Sequence, residues 1–254
     1  MQDQFSRTRA LLGQAALQRL AESHVAIFGL GGVGGHTTEA LARSGVGHFA
    51  LFDDDKICLT NLNRQIIATH ETLGRYKVEV MAERILAINP KAKIERHQVF
   101  YGPKVADRFD LSAYDYIVDA IDTVTAKLEL ITRAAEAKTP IISAMGTANK
   151  LDPTAFTVTD IFQTENDPLA RVMRRELRRR GITALPVVYS RETARKPLED
   201  LTTACKQNCV CPPDVARTCT VRRQIPASSA FVPGTAGLIL AAEVVKALID
   251  TESP

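Results

Sequence analysis

Along the first 150 residues, short apolar runs alternate with stretches whose hydrophobic positions recur every three to four residues. Ser6 to Leu20 carries Leu11, Leu12, Ala15, Ala16 and Leu20 at helical spacing, so a helix is expected there. An apolar strand from His24 to Phe28 then runs into a glycine-dense turn that opens a second helix, which Gly45 is placed to stop. His48 to Phe52 forms the next strand. Lys77 to Ile88 sets Val78, Met81, Ile85 and Ile88 on one helical face and ends at Asn89-Pro90. Strands are expected over Lys93 to Val99, Tyr114 to Ile121 and Pro140 to Gly146, with a helix over Val124 to Ala137 between the last two. This alternation implies an α/β domain with a mainly parallel sheet and helices on both faces.

Beyond Gly146 the period changes. Ala155 to Ile161 alternates like a strand with one solvated face, and Leu185 to Tyr189 is a second such piece, which points to antiparallel strands continuing the sheet. Between them, Asp167-Pro168 starts a helix that Gly181 stops. Residues 191 to 225 carry almost no periodic signal, so they are expected to be a lid, a disordered piece or a cysteine-rich insertion clamped by a metal. A last apolar helix follows Phe231 and ends near Ile249.

The 254 residues fit one domain, 1 to 254, better than two small ones. With 45% hydrophobic and 24% charged residues, the chain is not of the disordered class. A net charge of +3 says little; the clustering of arginines says more. The longest apolar run, Ala236 to Val245, is broken by Glu243 and is short for a bilayer, and no cationic leader stands at the start. A cytoplasmic protein without membrane contact is therefore expected. In that setting Cys205, Cys209, Cys211 and Cys219, four of the five cysteines, suit zinc or redox chemistry before structural disulfides, whereas Cys58 suits packing.

Candidate chemistry begins at the glycine turn. Gly29, Gly31 and Gly34 satisfy G-x-G-x-x-G, with Gly32 and Gly35 added, directly between an apolar strand and a helix. Such a turn lets a phosphate approach the backbone at a helix N-terminus, although a tight structural turn would use the same residues. Asp53 ends the second strand 19 residues after Gly34, near where an acid would hold a ribose. The adjacent carboxylates of Asp53, Asp54 and Asp55 repel one another unless a cation or N–H donors sit among them. The strand ending at Ile121 delivers Asp122 to the sheet edge where open α/β folds bind ligands, where it would hold a metal or cap the next helix. Arg171, Arg174, Arg175 and Arg178 form one stripe of the arginine helix, suited to a phosphate backbone or to a solvated face.

Gly29-Leu-Gly-Gly-Val-Gly34, Asp53, Asn61-Leu-Asn-Arg-Gln65, Tyr76-Lys-Val78 and Asp119-Ala-Ile-Asp122, in this order, resemble the ubiquitin-activating-type adenylylating enzymes of the ThiF and MoeB family. The resemblance implies a Rossmann-like fold and ATP as the nucleotide, with a substrate carboxylate attacking the α-phosphate. By similarity Gly29, Gly31, Gly32, Gly34, Asp53 and Asp55 lie in the nucleotide site and Asp53 holds the ribose. Asn61, Arg64 and Lys77 would contact the triphosphate, and Asp122 would bind magnesium. Arg7, in Phe5-Ser-Arg7, would reach into the site of a second protomer, which implies a homodimer.

Asn166-Asp-Pro-Leu-Ala-Arg171, the arginine helix and Ser229-Ala-Phe-Val-Pro-Gly-Thr-Ala-Gly-Leu238 further resemble the tRNA threonylcarbamoyladenosine dehydratase branch of that family. That branch implies a tRNA partner bearing threonylcarbamoyladenosine and an activated threonyl carboxylate on which the carbamoyl part closes, with loss of water. The cysteine spacing departs from the two C-x-x-C pairs of ThiF and MoeB, which leaves the zinc expectation and any sulfur-relay partner open. Two other readings remain: adenylylation of the C-terminal glycine of a ubiquitin-like sulfur carrier, and nucleotide or NAD binding without adenylylation.

Overall fold

The computed structural model describes residues 2–198 and 226–250. The four clustered cysteines and most of the 191–225 segment lie outside the described residues. Strands β1 (His24–Phe28), β2 (His48–Phe52), β3 (Lys93–His97), β4 (Tyr116–Asp119), β5 (Ile141–Ala144), β6 (Phe156–Asp160) and β7 (Pro186–Ser190) form one sheet, in the order β3-β2-β1-β4-β5-β7-β6. Every pairing is parallel except β6 with β7, so the expected antiparallel continuation is confined to the β6 edge. Because β2 and β4 flank β1, the crossovers diverge at β1 and open a crevice at the C-terminal ends of β1 and β4.

The helices are α1 (Ser6–Leu12), α2 (Gln14–Glu22), α3 (Gly34–Ser44), α4 (Lys77–Ile88), α5 (Val124–Ala137), α6 (Pro168–Arg179) and α7 (Phe231–Ile249). The single helix expected over Ser6 to Leu20 is two, because Gly13 adopts φ 85° and ψ 168°, a conformation outside the helical region. Of the two, only α2 buries apolar residues, namely Ala16, Leu17 and Leu20.

Strand β1 is buried on both faces, which is why it is a continuous apolar run. Val25 and Ile27 meet Leu41, Met81, Ile85, Leu240 and Val244 on one side. Ala26 and Phe28 turn to the other, where Phe28 stacks on Phe52 with ring centroids 4.1 Å apart, beside Tyr101 and Leu130. A third cluster of Leu128, Ile131, Met173, Leu177 and Leu185 joins α6 to α5 and the sheet. Each such fully buried side chain contributes about 1.5–3 kcal/mol.

Helix α7 spans 19 residues with a mean hydropathy of 1.6, so by length and composition it could cross a membrane, unlike the short run marked in the sequence. Half of it is buried inside the fold. Its Val232, Ala236, Leu240 and Val244 supply the core, and the Gly237 carbonyl accepts the Thr37 hydroxyl of α3 at 3.0 Å, which accounts for the apolar composition.

Candidate active site

The glycine turn is fixed by close contacts. Gly29 has φ +92°, and a Cβ on it would lie 2.7 Å from the Ala120 carbonyl oxygen at the end of β4. A Cβ on Gly34 would lie 1.8 Å from the Gly29 carbonyl oxygen, so any side chain there would force β1 and α3 apart. Gly31 differs: its nearest neighbour in that direction is Gln65 Nε2 at 3.9 Å. The turn is thus crowded underneath and open at Gly31, and no side chain caps α3 at Val33. An open backbone beside an uncapped helix start fits a phosphate.

Asp53 leaves β2 and bends back under this turn. Its Oδ2 accepts the Leu30 N–H at 2.7 Å and its Oδ1 accepts the Asp55 N–H at 2.8 Å, while only 8% of the side chain is exposed. It therefore braces the glycine turn as well as facing the crevice. Lys77, in the first turn of α4, lies 2.7 Å from Asp55 Oδ2 and 3.6 Å from Asp53 Oδ1. Burial is the strongest influence on Lys77 and lowers its pKa, but the Asp53, Asp55 and Asp122 charges together outweigh it and hold the ammonium above its ordinary range. Burial pushes the Asp53 carboxyl up, against the opposing Lys77 charge. Oxygen atoms of Asp53, Asp54 and Asp55 lie within 4.8 Å of one another, so the ammonium and N–H donors expected among these acids are present.

Asn61 shapes the loop between β2 and α4: its Oδ1 accepts the Cys58 N–H at 3.0 Å, holding the short turn Leu59–Asn61. Arg64 donates to the Thr60 carbonyl and to Asn63 Oδ1, both at 2.9 Å. Its Cγ would touch a Cβ on Gly32 at 3.3 Å, so Arg64 stands against the glycine turn. Asn63 Nδ2 reaches the Ser228 carbonyl at 3.1 Å and ties this loop to the segment entering α7.

Asp122 is exposed beyond the end of β4 and accepts the Thr123 hydroxyl at 3.2 Å. The N-cap position of α5 belongs to Thr123, one residue beyond Asp122, where the sequence allows Asp122 itself as the cap. Beneath Asp122 is a charge pair that the sequence reading missed. Lys127 is fully buried and donates to Asp119 Oδ2 at 2.8 Å, to the Ala144 carbonyl at 2.9 Å and to the Ile121 carbonyl at 3.2 Å. Its signal was a lysine in the apolar stripe with Leu130, Ile131 and Ala134.

The arginine helix is less uniform than its sequence. Arg174 is partly buried and donates to both the carbonyl and the hydroxyl of Thr164. Glu176 gathers Arg175, Arg179 and Arg180. Arg178 lies 5.0 Å over the Phe162 ring, and Arg171 is exposed. Arg171, Arg175 and Arg178 are therefore the members of the expected stripe that face solvent. A buried pair, Lys150 with Asp167 at 2.9 Å, fixes the start of α6, where Asp167 also accepts the Ala170 N–H.

Arg7 is exposed on α1. Phe5, two residues before it, packs at Gly45, the C-terminal end of α3. A helix of 11 residues is about 16 Å long, so this contact lies a helix length from the glycine turn of the same chain.

The ThiF family model matches residues 5–254. The tRNA threonylcarbamoyladenosine dehydratase of Bacillus subtilis (strain 168) is 40% identical over 98% of this chain and 96% of its own length. Crystal structures of the Escherichia coli tRNA N6-threonylcarbamoyladenosine dehydratase superpose closely. The complex with AMP matches at a TM-score of 0.84 and 32% identity, and the complex with ATP at 0.83 and 31%, each over 98% of this chain and 94% of that one.

Proposed function

This chain belongs to the ThiF family, and from that premise we propose that it is an ATP-dependent enzyme that cyclises threonylcarbamoyladenosine beside the tRNA anticodon. The observation that carries this reading is coverage: the likeness to the Bacillus subtilis dehydratase runs through the arginine-helix half as well as the nucleotide half.

In the reaction a threonyl carboxylate oxygen bonds to the α-phosphorus of ATP and pyrophosphate leaves. The carbamoyl part of the same nucleoside then bonds to the activated carbonyl carbon. AMP departs with the former carboxylate oxygen, a proton is released, and the nucleoside has lost one water. The chain's part is to place charge in advance. The turn at Gly31 offers backbone to the phosphates, and the Lys77 ammonium and Arg64 guanidinium meet charge developing on the phosphate oxygens. Asn61 keeps its loop in register for Arg64.

Magnesium at Asp122, an exposed carboxylate at the crevice, suits this chemistry; when bound it offsets phosphate charge. A homodimer in which Arg7 serves the second protomer's site is supported by the placement of its neighbour Phe5 at the far end of α3. Arg171, Arg175 and Arg178 offer a cationic face to the tRNA backbone. The zinc site of Cys205, Cys209, Cys211 and Cys219 is a proposal from residue type alone, which metal analysis of protein purified without chelator tests. A sulfur-relay partner is not required, because ring closure uses no enzyme cysteine. Access to tRNA and ATP suits a cytoplasmic location.

Purified protein with ATP, magnesium and tRNA carrying the modified base should yield a nucleoside lighter by one water on mass spectrometry. Without that product, a sulfur carrier's C-terminal glycine becomes the substrate to test.

A further inference from the structure

We propose that Lys127 is a positioning residue for adenylylation, acting through the backbone that carries Asp122; the inference rests on the reading of Asp122 given above. Lys127 is fully buried, yet its ammonium does more than neutralise one carboxylate. It bridges the end of β4, through Asp119, to the carbonyl of Ile121, the residue that precedes Asp122, and to the carbonyl of Ala144, the last residue of β5. Asp119 closes the arrangement from the other side. Its Oδ1 accepts the Ile121 N–H at 3.2 Å, and its Oδ2 also accepts the Ser143 hydroxyl at 2.6 Å. The Ile121 peptide is thus held at its N–H by Asp119 and at its carbonyl by Lys127. The chain leaving β4 has little freedom where it turns out to Asp122.

The location argues against a role in helix stability. Lys127 occupies the first turns of α5, with its backbone N–H bonded to the Thr123 carbonyl, and a cation near a helix N-terminus opposes the helix dipole. A buried ion pair is also a poor source of stability compared with apolar residues of the same volume. What the pair supplies is geometry, because an ammonium with three oxygen partners fixes all three relative to one another. The Ala120 carbonyl, in the same segment, is the atom against which Gly29 packs, so the segment between Asp119 and Asp122 also forms the floor of the glycine turn. Lys127 therefore sets the Asp122 carboxylate against that turn from beneath.

Lys127→Met alone would leave Asp119 as an uncompensated buried charge and can unfold the chain. The test therefore uses Asp119→Asn/Lys127→Met, which removes both charges, alongside Asp122→Asn and the triple variant. Folding is checked by circular dichroism, ATP affinity by titration, and kcat by tRNA-dependent AMP release. The paired variant should fold, bind ATP within threefold of wild type and lose kcat by tenfold or more. Added to Asp122→Asn it should lower kcat no further than twofold, because both changes act on one group. Losses that multiply in the triple variant, or a paired variant with wild-type kcat, overturn the proposal while leaving the role of Asp122 intact. Wild-type kcat in Asp122→Asn overturns the reading of Asp122 itself, and the proposal with it.

Discussion

Lys77 Nζ sits 2.7 Å from Asp55 Oδ2, joining a cation whose side chain is only 5% exposed to a carboxylate that is 46% exposed. With Asp53 behind it, the ammonium is balanced from the protein side and still faces the site. A cation held this way is in place before ATP arrives and needs no reorganisation as charge develops.

Lys77→Met is expected to lower AMP release by about a hundredfold and to destabilise the fold by about 3 kcal/mol, the cost of breaking a buried pair. The pH dependence carries a sign. The pKa of Lys77 is raised above its ordinary 10.5, so its pairings contribute fully below that pH and are lost as pH climbs through the folded value. The stability gap between wild type and Lys77→Met, measured by urea unfolding, should stay constant from pH 7 to 10 and narrow above 10.5. A gap that widens between pH 7 and 10.5 and is flat above that would mean that Lys77 is neutral in the fold.

Asp122→Asn preserves size and removes charge. Since the cap position of α5 is Thr123, the helix should be indifferent to the change, with thermal midpoint within about 2 °C of wild type, as for a surface substitution. Adenylylation should fall by about a hundredfold. Near-normal magnesium-dependent turnover in this variant would move the metal to the group formed by Asp53, Asp54 and Asp55.

The elements that were legible in the sequence are those whose ends carry local signals. The helices Lys77–Ile88 and Val124–Ala137 match their expected bounds, and Gly45 stops α3 in the left-handed conformation expected of it. Strand lengths were overestimated where hydrophobicity outruns pairing. Apart from Asp115 and Asp119, Tyr114 to Ile121 is apolar or aromatic, but the paired strand runs only from Tyr116 to Asp119, after which Ile121 bonds to Asp119 and Lys127. In the site, the density of acids near Asp53 pointed to a cation, and Lys77 is that cation. Contacts between residues distant in sequence were hidden: nothing local distinguishes Arg174, tied to Thr164, from Arg171 on the same helix.

That difference changes what the arginine helix should do. Replacing Arg171, Arg175 and Arg178 with glutamine should lower the slope of log tRNA affinity against log salt by about 2 to 3, with ATP affinity unchanged. Arg174→Gln should leave the slope within about half a unit of wild type and instead cost stability of about 1.5 kcal/mol, through the lost bonds to Thr164. Filter binding across a salt series separates the two. An unchanged slope in the triple variant would return the helix to the role of a solvated face.

Arg7 offers the most direct test of assembly. It is exposed on a short helix that buries nothing of its own, and its neighbour Phe5 packs at the end of α3 remote from the glycine turn. Leu11 on the same helix is 82% exposed, an apolar surface that a second protomer would cover. If Arg7 serves the partner's site, Arg7→Ala should lower AMP release without altering the fold, and Lys77→Ala should lower AMP release from within its own site. In a mixed dimer, one site pairs the altered Arg7 with the altered Lys77 and the other pairs two native residues. Mixing the two inactive variants should therefore restore activity toward a quarter of wild type, since half the dimers are mixed and each has one complete site. Heterodimers are counted by native mass spectrometry of differently tagged chains. If they form in that proportion and no activity returns, Arg7 acts within its own protomer or not at all.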